Sequence, residues 1–151
     1  MKIVNEMKLT FDSHSVNEGF SRAAVAAFAA LLDPTVEELS DLRTAVSEAV
    51  TNAIVHGYRE RLGKIFLTAQ ITDRGTIRIR VRDNGVGIAD IAQARQPLFT
   101  TAAGERAGLG FAVMESFTDK VRVRSRVGAG TTVTLEKKIG GKTAAHGGDA
   151  G

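Results

Sequence analysis

The chain has 151 residues, 43% of them hydrophobic and 25% charged, with a formal net charge of +3. That length suits one domain with a core of its own, and the composition is that of an ordinary globular protein. The absence of Cys excludes disulfides and thiolate metal sites, and no run approaches the roughly 20 apolar residues of a membrane span.

Met1 to Thr10 mixes charges with apolar residues and lacks a signal-peptide core, so cytoplasmic residence with no membrane contact is the expectation. The Lys and Arg residues are spread along the chain without interleaved Phe and Tyr. Direct nucleic-acid binding is therefore not expected. The positive excess fits an acidic protein partner or a phosphate-bearing ligand equally well.

In chain order, Met7, Leu9 and Phe11 alternate with polar residues, which predicts an opening strand. Ser15-Val-Asn-Glu18 has capping-box spacing, followed by Val16, Phe20, Ala23, Ala24, Ala27, Phe28, Leu31 and Leu32 at helical intervals. Asp33-Pro34 ends that helix, and Thr35-Val-Glu-Glu38 offers a second capping box. A second helix is predicted from about Val36 to Val55, with Gly57 as its stop. The period then becomes two: Ile65, Leu67, Ala69 and Ile71, a turn at Asp73-Arg-Gly75, then Ile77, Ile79 and Val81. From Gly85 to Gly110 no long apolar period exists, and a short helix is predicted from about Leu109 to Phe117. A second hairpin turns at Gly128-Ala-Gly130. The reading is a single α+β domain over residues 1–139, a two-layer sandwich of mainly antiparallel sheet with helices on one face. Residues 140–151 have no apolar anchor and are expected to be disordered. A structureless segment from Ile88 to Gly108 inside a compact domain reads as a functional lid.

Glu48, Asn52 and His56 interrupt the second helix at i, i+4 and i+8, forming one ridge beside the apolar stripe. Alone, this ridge reads as an ordinary solvated flank. Strand parity puts Asp83 on the face of Ile77, Ile79 and Val81, so a carboxylate points toward the core, where it is costly without a partner. Gly85 and Gly87 follow it and let backbone approach a ligand. Parity also turns Thr131 inward with Val133 and Leu135. An inward acceptor, a hydroxyl and flexible glycines suit the amino group of adenine. Gly104-Glu-Arg-Ala-Gly108-Leu-Gly110, leading into a helix, could present N–H groups to phosphates, although G-x-x-x-G-x-G is weak on its own.

Taken in order, Glu48-x-x-x-Asn52, Asp83-x-Gly85-x-Gly87 and Gly104-x-x-x-Gly108-x-Gly110 resemble the N, G1 and G2 boxes of the GHKL superfamily of ATPases and kinases, which has the Bergerat ATP-binding fold. Ser47 to Tyr58, Ala94 to Thr101 and Glu105 to Phe111 sharpen this into a resemblance to the anti-sigma F family of serine protein kinases, over about residues 1 to 137. The resemblance implies Mg²⁺ and ATP as cofactors, with Asn52 the Mg²⁺ ligand and Glu48 the general base. It implies that Asp83 binds adenine, that Gly85 and Gly87 shape the pocket and that Thr131 assists near the base. A lid from about Ala92 to Arg106, with Thr100, would close over the phosphates; Gly108 and Gly110 would donate N–H groups to them, and Arg106 would stabilise the transferring phosphoryl group. Arg22 would contact the partners: a sporulation sigma factor of the sigma-F type and an anti-anti-sigma protein phosphorylated on serine. A homodimer is also a family expectation. The alternatives are a detached histidine-kinase-type catalytic domain and a non-catalytic module that uses ATP only to hold a sigma factor. His14 and His146 suggest no metal site; Arg78, Arg80, Arg82, Arg122, Arg124 and Arg126 read as a solvated sheet face, with an acidic docking partner as the alternative.

Overall fold

The computed structural model describes residues 2–59, 61–95 and 102–140, with the backbone alone described over 102–108. The expected disordered tail, beyond its first residue Gly140, lies outside the described residues. The elements are β1 (Ile3–Asp12), α1 (Val16–Ala29), α2 (Val36–Asn52), β2 (Lys64–Thr72), β3 (Thr76–Asp83), α3 (Ile91–Ala94), α4 (Ala102–Phe117), β4 (Lys120–Arg126) and β5 (Gly130–Lys138). The five strands form one antiparallel sheet in the order β1-β2-β3-β5-β4. The fold is α+β, as the alternation and the helical stripes predict.

The period-two residues explain the layering. Ile65, Leu67 and Ala69 of β2, Ile77, Ile79 and Val81 of β3, and Val133 and Leu135 of β5 are all buried on the inner face. The helices bring Val25 and Ala29 from α1, Leu42, Val46, Ala49 and Val50 from α2, and Phe111 and Met114 from α4 into the same cluster. Each large side chain buried in this way contributes about 1.5–3 kcal/mol. α2 lies between α1 and α4 and packs on both.

Local chemistry decides where helices start. Thr35 forms its capping box: its hydroxyl accepts the Glu38 N–H at 3.1 Å, and the Glu38 carboxylate accepts the Thr35 N–H at 2.9 Å. The matching spacing at Ser15 forms none. Ser15 is itself in helical geometry and makes no side-chain cap, and it is Asn17 whose side chain reaches back to the Asp12 carbonyl at 2.9 Å. A cap residue needs an extended backbone to aim its oxygen at the helix N–H groups, and Ser15 lacks it. The buried stripe of α1 is also displaced from expectation: Ser21, Val25 and Ala29 face inward, while Val16, Phe20 and Leu31 are exposed. Small inward residues let this helix lie close to its neighbour.

Two further elements differ from the sequence reading. Regular α-helix stops at Asn52, and Ala53–Gly57 forms a π turn closed by the Tyr58 N–H on the Ala53 carbonyl at 3.1 Å. Such turns widen a helix by one residue. The last helix starts at Ala102 rather than near Leu109, so Gly104 to Gly110 lies within α4 and not in a loop ahead of it. The segment read as structureless from Ile88 to Gly108 also contains α3.

Candidate functional site

The end of α2 and the inner face of β3 and β5 wall a small pocket that is open on one side. Ala49, Asn52, Ala53, His56 and Gly57 reach it from α2 and its π turn, and Val81 and Asp83 from β3. Thr131 and Val133 come from β5, Phe111 from α4, and Gly87 and Ile88 from the loop after β3. The walls are apolar, with a few converging polar groups, the usual make-up of a small-molecule pocket.

Asp83 is the most constrained of those groups. It is only 4% exposed, and its carboxylate accepts the Gly85 N–H at 2.9 Å. Among the described residues no cation pairs with it. Burial raises its pKa, offset in part by backbone hydrogen bonds from Gly85 and Thr131. A desolvated acceptor in an apolar cleft is suited to a neutral N–H donor such as the amino group of a purine.

The loop that carries Gly85 and Gly87 is clamped on both sides. The Val86 N–H donates to the Gly57 carbonyl at 2.9 Å, and the Gly128 N–H to the Val86 carbonyl at 2.8 Å. A Cβ at Gly85 would fall 2.0 Å from the Gly57 oxygen. One at Gly87, whose φ is +77°, would fall 2.1 Å from the Arg126 oxygen. Both positions require glycine: Gly85 for close approach, and Gly87 for close approach and left-handed backbone. The Tyr58 hydroxyl joins the clamp by donating to the Lys64 carbonyl and accepting the Asn84 N–H, the latter at 2.8 Å.

Beside this pocket, Asn52 carries a buried side-chain nitrogen with no hydrogen-bond partner among the described residues. Unsatisfied buried amides are uncommon. That orphaned N–H fits an acceptor such as a phosphate oxygen, and the oxygen of the same amide could serve a hydrated cation. Among the described residues no three His, Cys, Asp or Glu side chains converge on a metal. Glu48 lies one helical turn before Asn52. A Cβ at Gly110 would lie 3.1 Å from Glu48 Oε2 and 3.3 Å from Asn52 Oδ1, so Gly110 keeps the space between α4 and this polar pair open.

The structure thus brings Asn52, Asp83, Gly87 and Thr131 to one cavity, with Gly85 behind it and Glu48 and Gly110 beside it. Thr100 lies outside the described residues, and Arg106 and Gly108 lie where only the backbone of α4 is described. Arg22 is on α1, 3.8 Å from Glu18; with Arg43 and Ser47 it lines a groove between α1 and α2 that reaches Glu48. Sequence reasoning missed Ser125, which accepts the Ile88 N–H at 2.7 Å and lies 2.8 Å from Thr131 Oγ1. The only signal for it was its parity with Val121 and Val123. Val133 was legible by parity, but as a core residue.

Residues 13–137 match the family described as the histidine kinase-like ATPase domain. An anti-sigma F factor of Geobacillus thermodenitrificans is 54% identical over 136 residues, covering 89% of this chain and 93% of that protein. The chain belongs to the anti-sigma F factor family. An anti-sigma F factor of Thermoanaerobacter is also 54% identical, over 93% of this chain and 98% of its own length. Among solved structures, the RsbU and RsbW domains of a Mycobacterium tuberculosis protein match 90% of this chain with a TM-score of 0.65 and 24% identity, and the chain spans 32% of that longer protein. A histidine kinase domain from Erythrobacter litoralis matches 85% of the chain, and 63% of its own length, at a TM-score of 0.54 and 18% identity. These last two share the fold of the family. Among the described residues no helix is long and apolar enough to cross a membrane.

Proposed function

We propose that the chain is an anti-sigma factor and protein serine kinase: it holds a sigma-F-type sporulation sigma factor in an ATP-dependent complex and transfers phosphate from Mg·ATP to a serine of an anti-anti-sigma protein. The observation that carries this is the buried Asp83 carboxylate, without a cation partner among the described residues, facing the cavity that Asn52 also lines. The kinase domain covers residues 1–139 and works in the cytoplasm as a homodimer.

Each residue has one task. Asp83 accepts the adenine amino group, Thr131 holds its side of the base through the Ser125 pair, and Gly85 and Gly87 leave room for the ring. Mg²⁺ neutralises phosphate charge in the transfer, and Asn52 is the side chain that would hold it. Glu48 takes the proton from the serine hydroxyl as the hydroxyl attacks, a role worth about 10²–10⁴ in rate. Gly108 and Gly110 keep the α4 wall free of side chains beside the phosphates; lying inside α4, their N–H groups are used in the helix and are not the expected phosphate donors. Thr100 closes over the phosphates, and Arg106, in the first turns of α4, balances charge on the group in flight.

Arg22 contacts the protein partners. Its groove runs to Glu48, which supports a path by which an acceptor segment docked at Arg22 delivers its serine to the base. The printed name of the relatives, anti-sigma F factor, supports the sigma-factor half of the reading. The kinase half is tested by mixing the protein with labelled ATP, Mg²⁺ and the anti-anti-sigma protein. Acid-stable phosphoserine is expected; acid-labile label would point to histidine-kinase chemistry, and tight ATP uptake without transfer to a pure binding module.

A further inference from the structure

The sheet face turned away from the helices has no role in the nucleotide chemistry, and it carries a pattern of its own. Register sets three rows across β3, β5 and β4: Arg78–Glu136–Lys120, Arg80–Thr134–Arg122 and Arg82–Thr132–Arg124. Two walls of long cationic side chains therefore flank a floor of short threonines, and a cleft runs between them. Six cations and one carboxylate stand in these rows, a net of +5, against +3 for the whole chain.

Some of this charge is already engaged. Arg78 bonds Glu136 at 2.8 Å, and Arg82 lies over the Phe66 ring at 4.1 Å while donating to Asn84. Arg80, Arg122 and Arg124 are exposed and form no ion pair among the described residues. Like charges held side by side repel one another, and an anionic occupant relieves this. We infer that this trough is a docking site for an extended acidic segment of a partner protein, with Arg80, Arg122 and Arg124 as its carboxylate-binding groups.

Strand spacing, guanidinium chemistry and the poor fit of the other candidates select that occupant. Same-face residues along a strand repeat at about 6.6–6.8 Å, and so do alternate side chains of an extended peptide, so carboxylates at every second position fall in register with the Arg rows. Guanidinium groups bind carboxylates through paired N–H donors. Nucleic acid fits less well: single strands bind on aromatic platforms, and Phe66 is already covered by Arg82. A second copy of this chain would present the same positive face. The site lies across the sheet from the cavity, since Thr131 points in and Thr132 out, so it is independent of the nucleotide reading.

The test is fluorescence anisotropy with a short labelled peptide of alternating Glu and Ser. Saturable binding that weakens with added salt is expected. The triple variant Arg80→Gln/Arg122→Gln/Arg124→Gln should bind roughly tenfold more weakly while taking up ATP as the parent does, which shows that it is folded. Arg59→Gln/Arg61→Gln, which removes two exposed cations from the segment before β2, should bind like the parent. No saturable binding, an equal loss in that control, or tighter binding of a single-stranded oligonucleotide than of the peptide would each overturn the proposal, the last in favour of a nucleic-acid surface.

Discussion

Gly57 and Asp83 meet where the end of α2 touches the sheet: a Cβ on Gly57 would fall 2.7 Å from the Asp83 carboxyl carbon. Helix and strand can be this close only because one partner has no side chain. Gly57→Ala should therefore push the carboxylate out of position. The expected result is a loss of ATP affinity of about tenfold or more, read by calorimetry, since a hydrogen bond to a charged group is worth about 1.5–3 kcal/mol. Unchanged affinity would mean that Asp83 does not touch the nucleotide.

Asp83→Asn keeps the shape and removes the charge. ATP affinity should fall by roughly 10–100-fold. Stability should move the other way with pH. The folded pKa of Asp83 is raised above its ordinary 3.8 by burial, so the folded state holds the proton more tightly than the unfolded chain. Its contribution is then most favourable below 3.8 and declines as pH rises through the raised folded value. Denaturant titrations across that window should show the parent losing stability relative to the Asn variant, with a constant gap above it.

Glu48 and Asn52 share a helix face but are assigned different tasks, and substitution should separate them. Glu48→Ala should lower phosphoryl transfer by about 10²–10⁴-fold with ATP affinity retained. Asn52→Ala should weaken Mg²⁺-dependent ATP binding itself. Normal transfer by Glu48→Ala would sink the assignment of the base.

Tyr58→Phe tests the clamp. Its hydroxyl joins the Lys64 carbonyl to the Asn84 N–H, so its loss should cost about 1–3 kcal/mol of folding stability, measured by chemical denaturation. Amide exchange should quicken at Asn84 and Gly85 more than in the middle of β2.

Period-two alternation made the sheet legible, and with it the inward turn of Asp83 and Thr131, because a strand has only two faces. The capping box at Thr35 was legible for the same local reason. Ser15 shows where that reading stops: its spacing matches, yet its backbone is helical and its side chain caps nothing. The extent of α4 was hidden because Ala102 to Gly110 has three glycines and no apolar period. The π turn at Ala53–Gly57 has no sequence signature, yet it is what presents Gly57 to Asp83. Ser125 was illegible because its value comes from its partners, Ile88 and Thr131, which are distant in sequence.

The strand order has a consequence for how the molecule comes into being. β5, the final strand of the fold, is inserted between β3 and β4 and supplies Thr131 and Val133 to the pocket wall. A ribosome-bound chain that has released everything up to β4 still has Asp83 on an open sheet edge. Ligand capture thus begins only when the last strand has slotted home, and chains cut short before it should be inert rather than partly active.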